Sequence, residues 1–401
     1  GLNDPFGVDR LRMAAVVREA HEAGLPLLTV AACPQKFSPQ APELVQYREQ
    51  WRAEPESSLE WDTQLQIQNC GKSATLRKWL FYGGAVENVR RFGTDGVYFD
   101  GWQAGTMGCC NARHGCGWTD AAGRRHLTVP VLEGREFNQR MLLFLQEEVR
   151  CQGAGCREHS SGEPRFPRCH YWIHSWEFVP SVMGFATEWL TGEFAGWPLQ
   201  GPGMLKPEGT YGNSLGLGLF RARCLSTNWG LPNYFDALMW EADRDGRVDK
   251  QTLMAYAWFL PHGVPPGQIH YMHHKTVVEI TRIMQAFDAR RARFTPGWRA
   301  NPFWEIREPR RREVMVATWD RDGGRQLLTV ISNLQVDRAE TVKLQWRGPE
   351  ELKIANAQSG AALSLRDGVL EVPLAPESFL LLRSHHGKGA ADAGERAVGD
   401  H

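Results

Sequence analysis

Hydrophobic positions along the first three-quarters of the chain switch repeatedly between two spacings. Residues 9–23 set Leu11, Ala15 and Ala23 among charged side chains and stop at Gly24, a pattern that predicts a helix. The apolar run at 26–31 then predicts a buried strand. The alternation continues with helices expected over 43–53, 74–92, 133–149, 181–190, 252–260 and 275–293, and strands over 96–99, 169–173 and 234–239. Strands alternating with helices predict a parallel sheet joined by crossover helices. Residues 1–295 hold five or six such units, and no strand is followed by a G-x-G-x-x-G turn or a P-loop. The reading is therefore α/β, a (β/α)8 TIM-type barrel lacking its first one or two units, with a doubly wound open sheet as the competitor.

Beyond Pro296 the period becomes two. Short alternating runs at 313–319, 326–332, 341–346, 369–372 and 378–382 are separated by turn residues at Asp322-Gly323-Gly324, Arg347-Gly348-Pro349 and Asp367-Gly368. This predicts a C-terminal antiparallel β-sandwich over 300–384. Residues 385–401 are Gly, Ala and charge with almost nothing to bury, so a disordered tail is expected there.

Composition narrows the partners. The 401 residues carry 46 Lys plus Arg and 46 Asp plus Glu, so there is no cationic excess to displace counterions from a nucleic acid. No apolar run approaches the roughly 18 residues that span a bilayer. The sequence starts at Gly1 and enters a helical pattern within ten residues, which suggests a piece of a longer chain. A secreted or periplasmic address is compatible with that, and the compartment and oligomeric state stay unassigned. Trp outnumbers Tyr by 16 to 8, and several Trp fall in loop-like stretches. Indole faces serve equally as core filler and as platforms for sugar rings.

In a parallel barrel, chemistry lies at the C-terminal ends of the strands. There the sequence offers Asp95-Gly-Val-Tyr-Phe-Asp100-Gly101-Trp102, an apolar strand running straight into a carboxylate, a glycine and an indole. Asp100 at that place either faces the mouth of a barrel or caps the next turn. Hydrolysis of a glycosidic bond needs a second carboxylate. Glu177, Glu188, Glu193, Asp236 and Glu241 are candidates, of which Glu193, in a loop rich in Gly and Trp, stands out as the acid, while Asp236 and Glu241 flank another strand of similar type. Cys109, Cys110, His114 and Cys116 lie within eight residues, a mixture suited to zinc. Their spacing lacks a facing pair of C-x2-C knuckles, and disulfides within the loop or to Cys151, Cys156 or Cys169 compete with metal. No metal and no cofactor is assigned.

The runs DGVYFDGW (95–102), CCNARHGCGW (109–118) and TVPVLEGREFNQR (128–140), with HSWEFVPSVMGFATEWLTGE (174–193), resemble the catalytic barrels of glycoside hydrolases, and most of all relatives of glycoside hydrolase family 123. The resemblance implies a carbohydrate substrate and places Asp100 at the end of the barrel's fourth strand. Family 123 uses an adjacent Asp-Glu pair helped by the substrate's acetamido group, whereas Asp100 is followed here by Gly101, so that mechanism does not carry over. The resulting expectation is a glycoside hydrolase with Asp100 as nucleophile or electrostatic stabiliser and Glu193 as general acid. Trp102, Trp118, His174, Trp176, Asp236 and Arg135 would bind the sugar. A carbohydrate-binding barrel without catalysis and a metal-dependent hydrolase built on the Cys/His cluster are the alternatives.

Overall fold

The computed structural model describes residues 10–25, 28–32, 36–56, 58–61, 64–100, 107–151, 169–174, 184–191, 216–218, 220–222, 233–236, 247–267, 272–348 and 352–386. The tail expected from 385 onward lies outside these residues, apart from His385 and His386, which belong to the last strand. The chain divides into two compact units, Gly1–Thr191 with Thr227–Asn233, and Gly192–Ser226 with Tyr234–His401.

The first unit begins with helix α1 (Arg10–Glu22), strand β1 (Leu28–Ala32), strand β2 (Lys36–Phe37) and helix α2 (Pro42–Trp51). Strands β3 (Ser58–Trp61) and β4 (Gln64–Gln68) follow, and β2, β4 and β3 make a small antiparallel sheet that the hydrophobic pattern does not announce. A continuous helical stretch comes next: α3 (Ala74–Lys78), a π-helical segment at Trp79–Val86 and α4 (Glu87–Phe92). The Ser73 hydroxyl opens it by accepting from the Leu76 N–H, and Gly93, at φ 75°, closes it in the left-handed region. Then come β5 (Gly96–Asp100), the hairpin strands β6 (Trp118–Thr119) and β7 (Arg125–His126), α5 (Val131–Cys151), β8 (His170–His174) and β9 (Glu188–Thr191).

Strands β1, β5, β8 and β9 run parallel in that spatial order, with Ala32 opposite Asp100, Asp100 opposite His174, and His174 opposite Leu190. A period of two sorts their side chains. Val97, Phe99, Tyr171, Ile173 and Trp189 pack into one apolar core with Leu76, Leu80 and Val89 of the helical stretch and Phe137, Met141 and Leu145 of α5. Those α5 residues recur every four positions, which lines them along one face of the helix. The alternate positions of the sheet are Tyr98, Asp100, His170, Trp172, His174, Glu188 and Leu190, a face rich in polar groups. Residues 188–191, expected to end a helix, form β9 instead. Trp189 enters the core while Leu190 on the other face is also buried, a two-sided burial that a strand next to β8 provides.

The second unit contains β10 (Asn233–Asp236) from its second residue on, α6 (Arg247–His262), β11 (Pro266–Gly267) and α7 (His274–Phe287), with β10 and β11 parallel. Helix α7 buries Thr276, Val277, Ile280, Ile283 and Phe287 and ends at Asp288. Asp288 adopts φ 57°, and its N–H and that of Ala289 return to Gln285 and Met284. The helix expected to reach 293 is therefore stopped by an aspartate in a conformation more usual for glycine.

The antiparallel part comprises β12 (Arg293–Thr295), β13 (Trp304–Glu308), β14 (Val314–Arg321), β15 (Gln326–Asn333), β16 (Glu340–Trp346), β17 (Leu352–Asn356), β18 (Ala362–Leu363), β19 (Val369–Leu374) and β20 (Ser378–His386). Six of these form one sheet in the order β12-β14-β15-β20-β17-β18, and β13-β16-β19 form another. Val314, Val316 and Ile331 of the larger sheet pack against Val342, Leu344, Leu370 and Val372 of the smaller, which makes a sandwich. The opposite face of the larger sheet is covered too: Met315, Ala317, Trp319, Leu328 and Val330 share a core with Trp258 and Phe259 of α6. Burial on both faces explains why β14 and β15 read as nearly continuous apolar runs. Among the described residues no helix is long and apolar enough to cross a membrane.

Candidate active site

Asp100 and His174 are the last residues of two neighbouring parallel strands, and the register sets them side by side. Their side chains meet, with His174 Nδ1 2.8 Å from Asp100 Oδ1. The Tyr98 hydroxyl, two residues back on the same face of β5, lies 3.0 Å from the same nitrogen. A carboxylate accepts more strongly than a neutral oxygen, so the Nδ1–H is assigned to Asp100, with the Tyr98 oxygen as the weaker second acceptor. The imidazole is buried, with its side chain only 3% exposed, whereas that of Asp100 is 38% exposed. Asp100 is thus held from one side by a fixed group and open on the other. Tyr98 packs its ring against both His174 and Trp172, at 6.3 Å between centroids in each case.

One level toward the N-terminal ends of the strands, Glu188 Oε1 pairs with His170 Nδ1 at 2.9 Å and its other oxygen accepts from the Thr187 hydroxyl. Glu188 is 8% exposed and stands opposite Trp172. Beneath the sheet's N-terminal edge His21 Nε2 meets Asp95 Oδ2 at 2.7 Å. The polar face therefore carries two carboxylate–imidazole contacts, of which the Asp100–His174 pair lies at the C-terminal end where a parallel sheet presents its chemistry.

Of the other expected site residues, Trp102, Trp176 and Glu193 lie outside the described residues, and of Asp236 only the backbone is described, as the last residue of β10. Trp118 is 52% exposed on the β6–β7 hairpin and stacks on His126 at 4.3 Å between ring centroids. Arg135 stands on α5, the helix that covers the other face of the sheet, with its guanidinium 5.0 Å over the Phe185 ring. Sequence reasoning missed Tyr98, for which the period-two spacing Tyr98–Asp100 was the available signal; Glu188 was among its candidate second carboxylates but was passed over for Glu193.

The cysteine loop is organised differently from its linear spacing. Cys70, from the turn between β4 and α3, joins Cys109, His114 and Cys116, and the ligand atoms of these four all lie within 4.8 Å of one another. Cys110 is not part of the group, and no disulfide joins Cys70, Cys109, Cys110, Cys116 or Cys169. Hydrogen bonding with Cys70 holds the Cys109 thiol well below its ordinary range, with the Asn111 N–H adding to the effect. The same contact, with burial, drives Cys70 up.

No family model and no curated protein matches the chain. Among solved structures it is similar to a maltogenic alpha-amylase from Thermotoga neapolitana, with 12% identity and a TM-score of 0.53 over 95% of this chain and 84% of that one. An alpha-amylase from Geobacillus thermoleovorans complexed with acarbose matches at 11% identity and a TM-score of 0.56, covering 96% and 84%. AmyP in complex with maltose matches at 12% identity and a TM-score of 0.52, covering 96% and 82%. At these identities the likeness is one of fold, and that fold is one on which glycoside hydrolases are built.

Proposed function

We propose that the chain is a glycoside hydrolase acting on an oligo- or polysaccharide, with Asp100 as its strand-end catalytic carboxylate. In this reading the parallel strands belong to a (β/α)8-type barrel over residues 1–295, kin to family 123 in architecture but not in its Asp-Glu chemistry, and the sandwich over 300–384 follows it. The observation that carries the reading is the Asp100–His174 pair at the C-terminal ends of adjacent parallel strands, one partner buried and the other partly open. The fold likeness to alpha-amylases supports it.

An ionised Asp100 would act as nucleophile or stabilise an oxocarbenium-like transition state. His174, fixed by burial and hydrogen-bonded to one carboxylate oxygen, would aim the other at the anomeric carbon. Glu193 is the proposed general acid, and Trp102, Trp118 and Trp176 the proposed sugar platforms, with Asp236 as a further substrate contact. A panel of aryl glycosides and α- and β-linked glucans tests this. Turnover by the parent chain that falls about 10²–10³-fold in Asp100→Asn is the expected result. Full activity in that variant removes Asp100 from the mechanism. Glycan binding without turnover in the parent chain makes the barrel a binding module.

A further inference from the structure

We propose that Cys70, Cys109, Cys116 and His114 Nδ1 bind one zinc ion in a closed, structural Cys3His site that ties together two loops at the same edge of the parallel sheet. Two distances within the group are close to those a tetrahedral ion imposes. Zinc–sulfur bonds of about 2.3 Å and zinc–nitrogen bonds of about 2.0 Å give tetrahedral edges of about 3.8 Å between sulfurs and about 3.5 Å from sulfur to nitrogen. Cys70 Sγ lies 3.7 Å from Cys116 Sγ, and Cys109 Sγ 3.8 Å from His114 Nδ1. A disulfide would bring a sulfur pair to about 2 Å.

The surroundings are arranged for thiolates and for a neutral imidazole. The Lys72 N–H points at Cys70 Sγ from 3.4 Å and the Asn111 N–H at Cys109 Sγ from 3.3 Å, each two residues beyond its cysteine. Two segments distant in sequence thus make the same turn around a sulfur. His114 Nε2 lies 2.5 Å from the Gln50 carbonyl at the end of α2. That oxygen can only accept, so Nε2 carries the proton and Nδ1 turns its lone pair toward the sulfurs, the way a ligating histidine is usually oriented. Three thiolates on a divalent ion leave one net negative charge, and Lys72 Nζ lies beside the site, donating to the Gly115 carbonyl at 3.0 Å. Cys116 sits between Gly115 and Gly117, both at positive φ, and a methyl group on Gly117 would lie 2.8 Å from the His126 carbonyl oxygen.

The alternative role for these cysteines is an ordinary core, and that core is too small. Cys70, Cys109 and Cys116 share their apolar cluster with Ala53 alone. Across 107–130 the buried residues are Cys109, Asn111, Cys116 and Pro130, while Trp118, Leu127 and Val129 are exposed. A segment of this length that buries so little needs another source of stability, which a structural metal supplies. Four protein ligands leave no coordination position for water or substrate, which separates this site from a catalytic zinc. Because β1 and β5 are parallel neighbours, the chain leaving each emerges at the same edge, and the ion would join the first excursion, through Cys70, to the second, through Cys109, His114 and Cys116.

The test is elemental analysis of the untagged full chain, purified under reduction, with Cys70→Ser, Cys116→Ser and Cys110→Ser alongside. One zinc per chain in the parent and in Cys110→Ser, and less than about a fifth of that in the other two, is expected. Since the ligand variants can fail to fold, the parent is also exchanged with Co²⁺. The intense visible bands of a tetrahedral cobalt–thiolate centre are expected. Absence of stoichiometric zinc together with a featureless cobalt spectrum overturns the proposal, as does full zinc in both Cys70→Ser and Cys116→Ser. A Cys70–Cys116 disulfide found by mass spectrometry of metal-free protein purified without reductant and protected from exchange overturns it as well.

Discussion

A methyl group on Gly96 would lie 1.8 Å from the carbonyl oxygen of His170, its register partner on the neighbouring strand. No rotamer relieves a clash with backbone, so Gly96→Ala is expected to cost about 3 kcal/mol or more, read as a lowered midpoint in urea unfolding. The same crowding fixes the spacing of β5 and β8 and hence of Asp100 and His174. In the proposed mechanism His174 acts through Asp100, so His174→Asn is expected to lower kcat about 10–10²-fold while KM stays within about twofold. A purely structural role would lower the melting temperature and leave the kcat of the folded fraction unchanged. At this scale Asp100 was legible, because an apolar run that ends in a carboxylate and a glycine marks a strand end. The pairing of His174 with Asp100 was not legible, because it depends on the register between β5 and β8. Cys70 was not legible: it lies far upstream of Cys109, and only folding brings the two N–H-to-sulfur turns together.

Elements with one buried face were read well, and two-sided burial misled at the short β9 though not in the longer strands β14 and β15. Helix α5 and strand β5 show their period plainly, whereas 188–191 places apolar residues on both sides and resembles a helical turn. The π-helical segment at Trp79–Val86 spans Gly83-Gly84, where a weak helix-former pair gives sequence periodicity nothing to distinguish it from α-helix. Around the cysteine cluster the backbone bonds are few: the Cys109 N–H to Thr128 closes the β6–β7 excursion on itself, the Cys110 N–H to Glu54 ties it to the segment after α2, and the Cys70 N–H to Trp51 holds the turn that carries Cys70. If an ion holds it, chelation of the folded chain should raise amide exchange at these three positions by about tenfold or more while the amides between β5 and β8 stay protected. Equal protection with and without chelator would show that the excursion needs no ion.

For the molecule as a whole, the second unit contains a buried histidine whose protonation opposes folding. His262 donates from Nδ1 to the Trp258 carbonyl at 2.7 Å and accepts at Nε2 from Arg221 Nε at 3.3 Å. Burial pushes its pKa down to about 4, with the Arg221 charge adding to the effect. The unfolded chain takes up a proton near pH 6.5 that the folded chain refuses until about pH 4. Stability is therefore complete above pH 6.5 and falls by about 3 kcal/mol as the pH drops to 4. A His262→Gln variant should lose less over that interval by the same amount, measured as the difference in pH slope of the unfolding free energy. Finally, the two sides of the parallel sheet have separate duties. Val97, Phe99, Tyr171, Ile173 and Trp189 anchor the helices, while Tyr98, Asp100, Trp172 and His174 face away from that anchorage. On the proposed function, replacements at the second set would alter what is recognised while the packing that anchors the helices is kept, which leaves such a chain room to drift toward new substrates over evolutionary time.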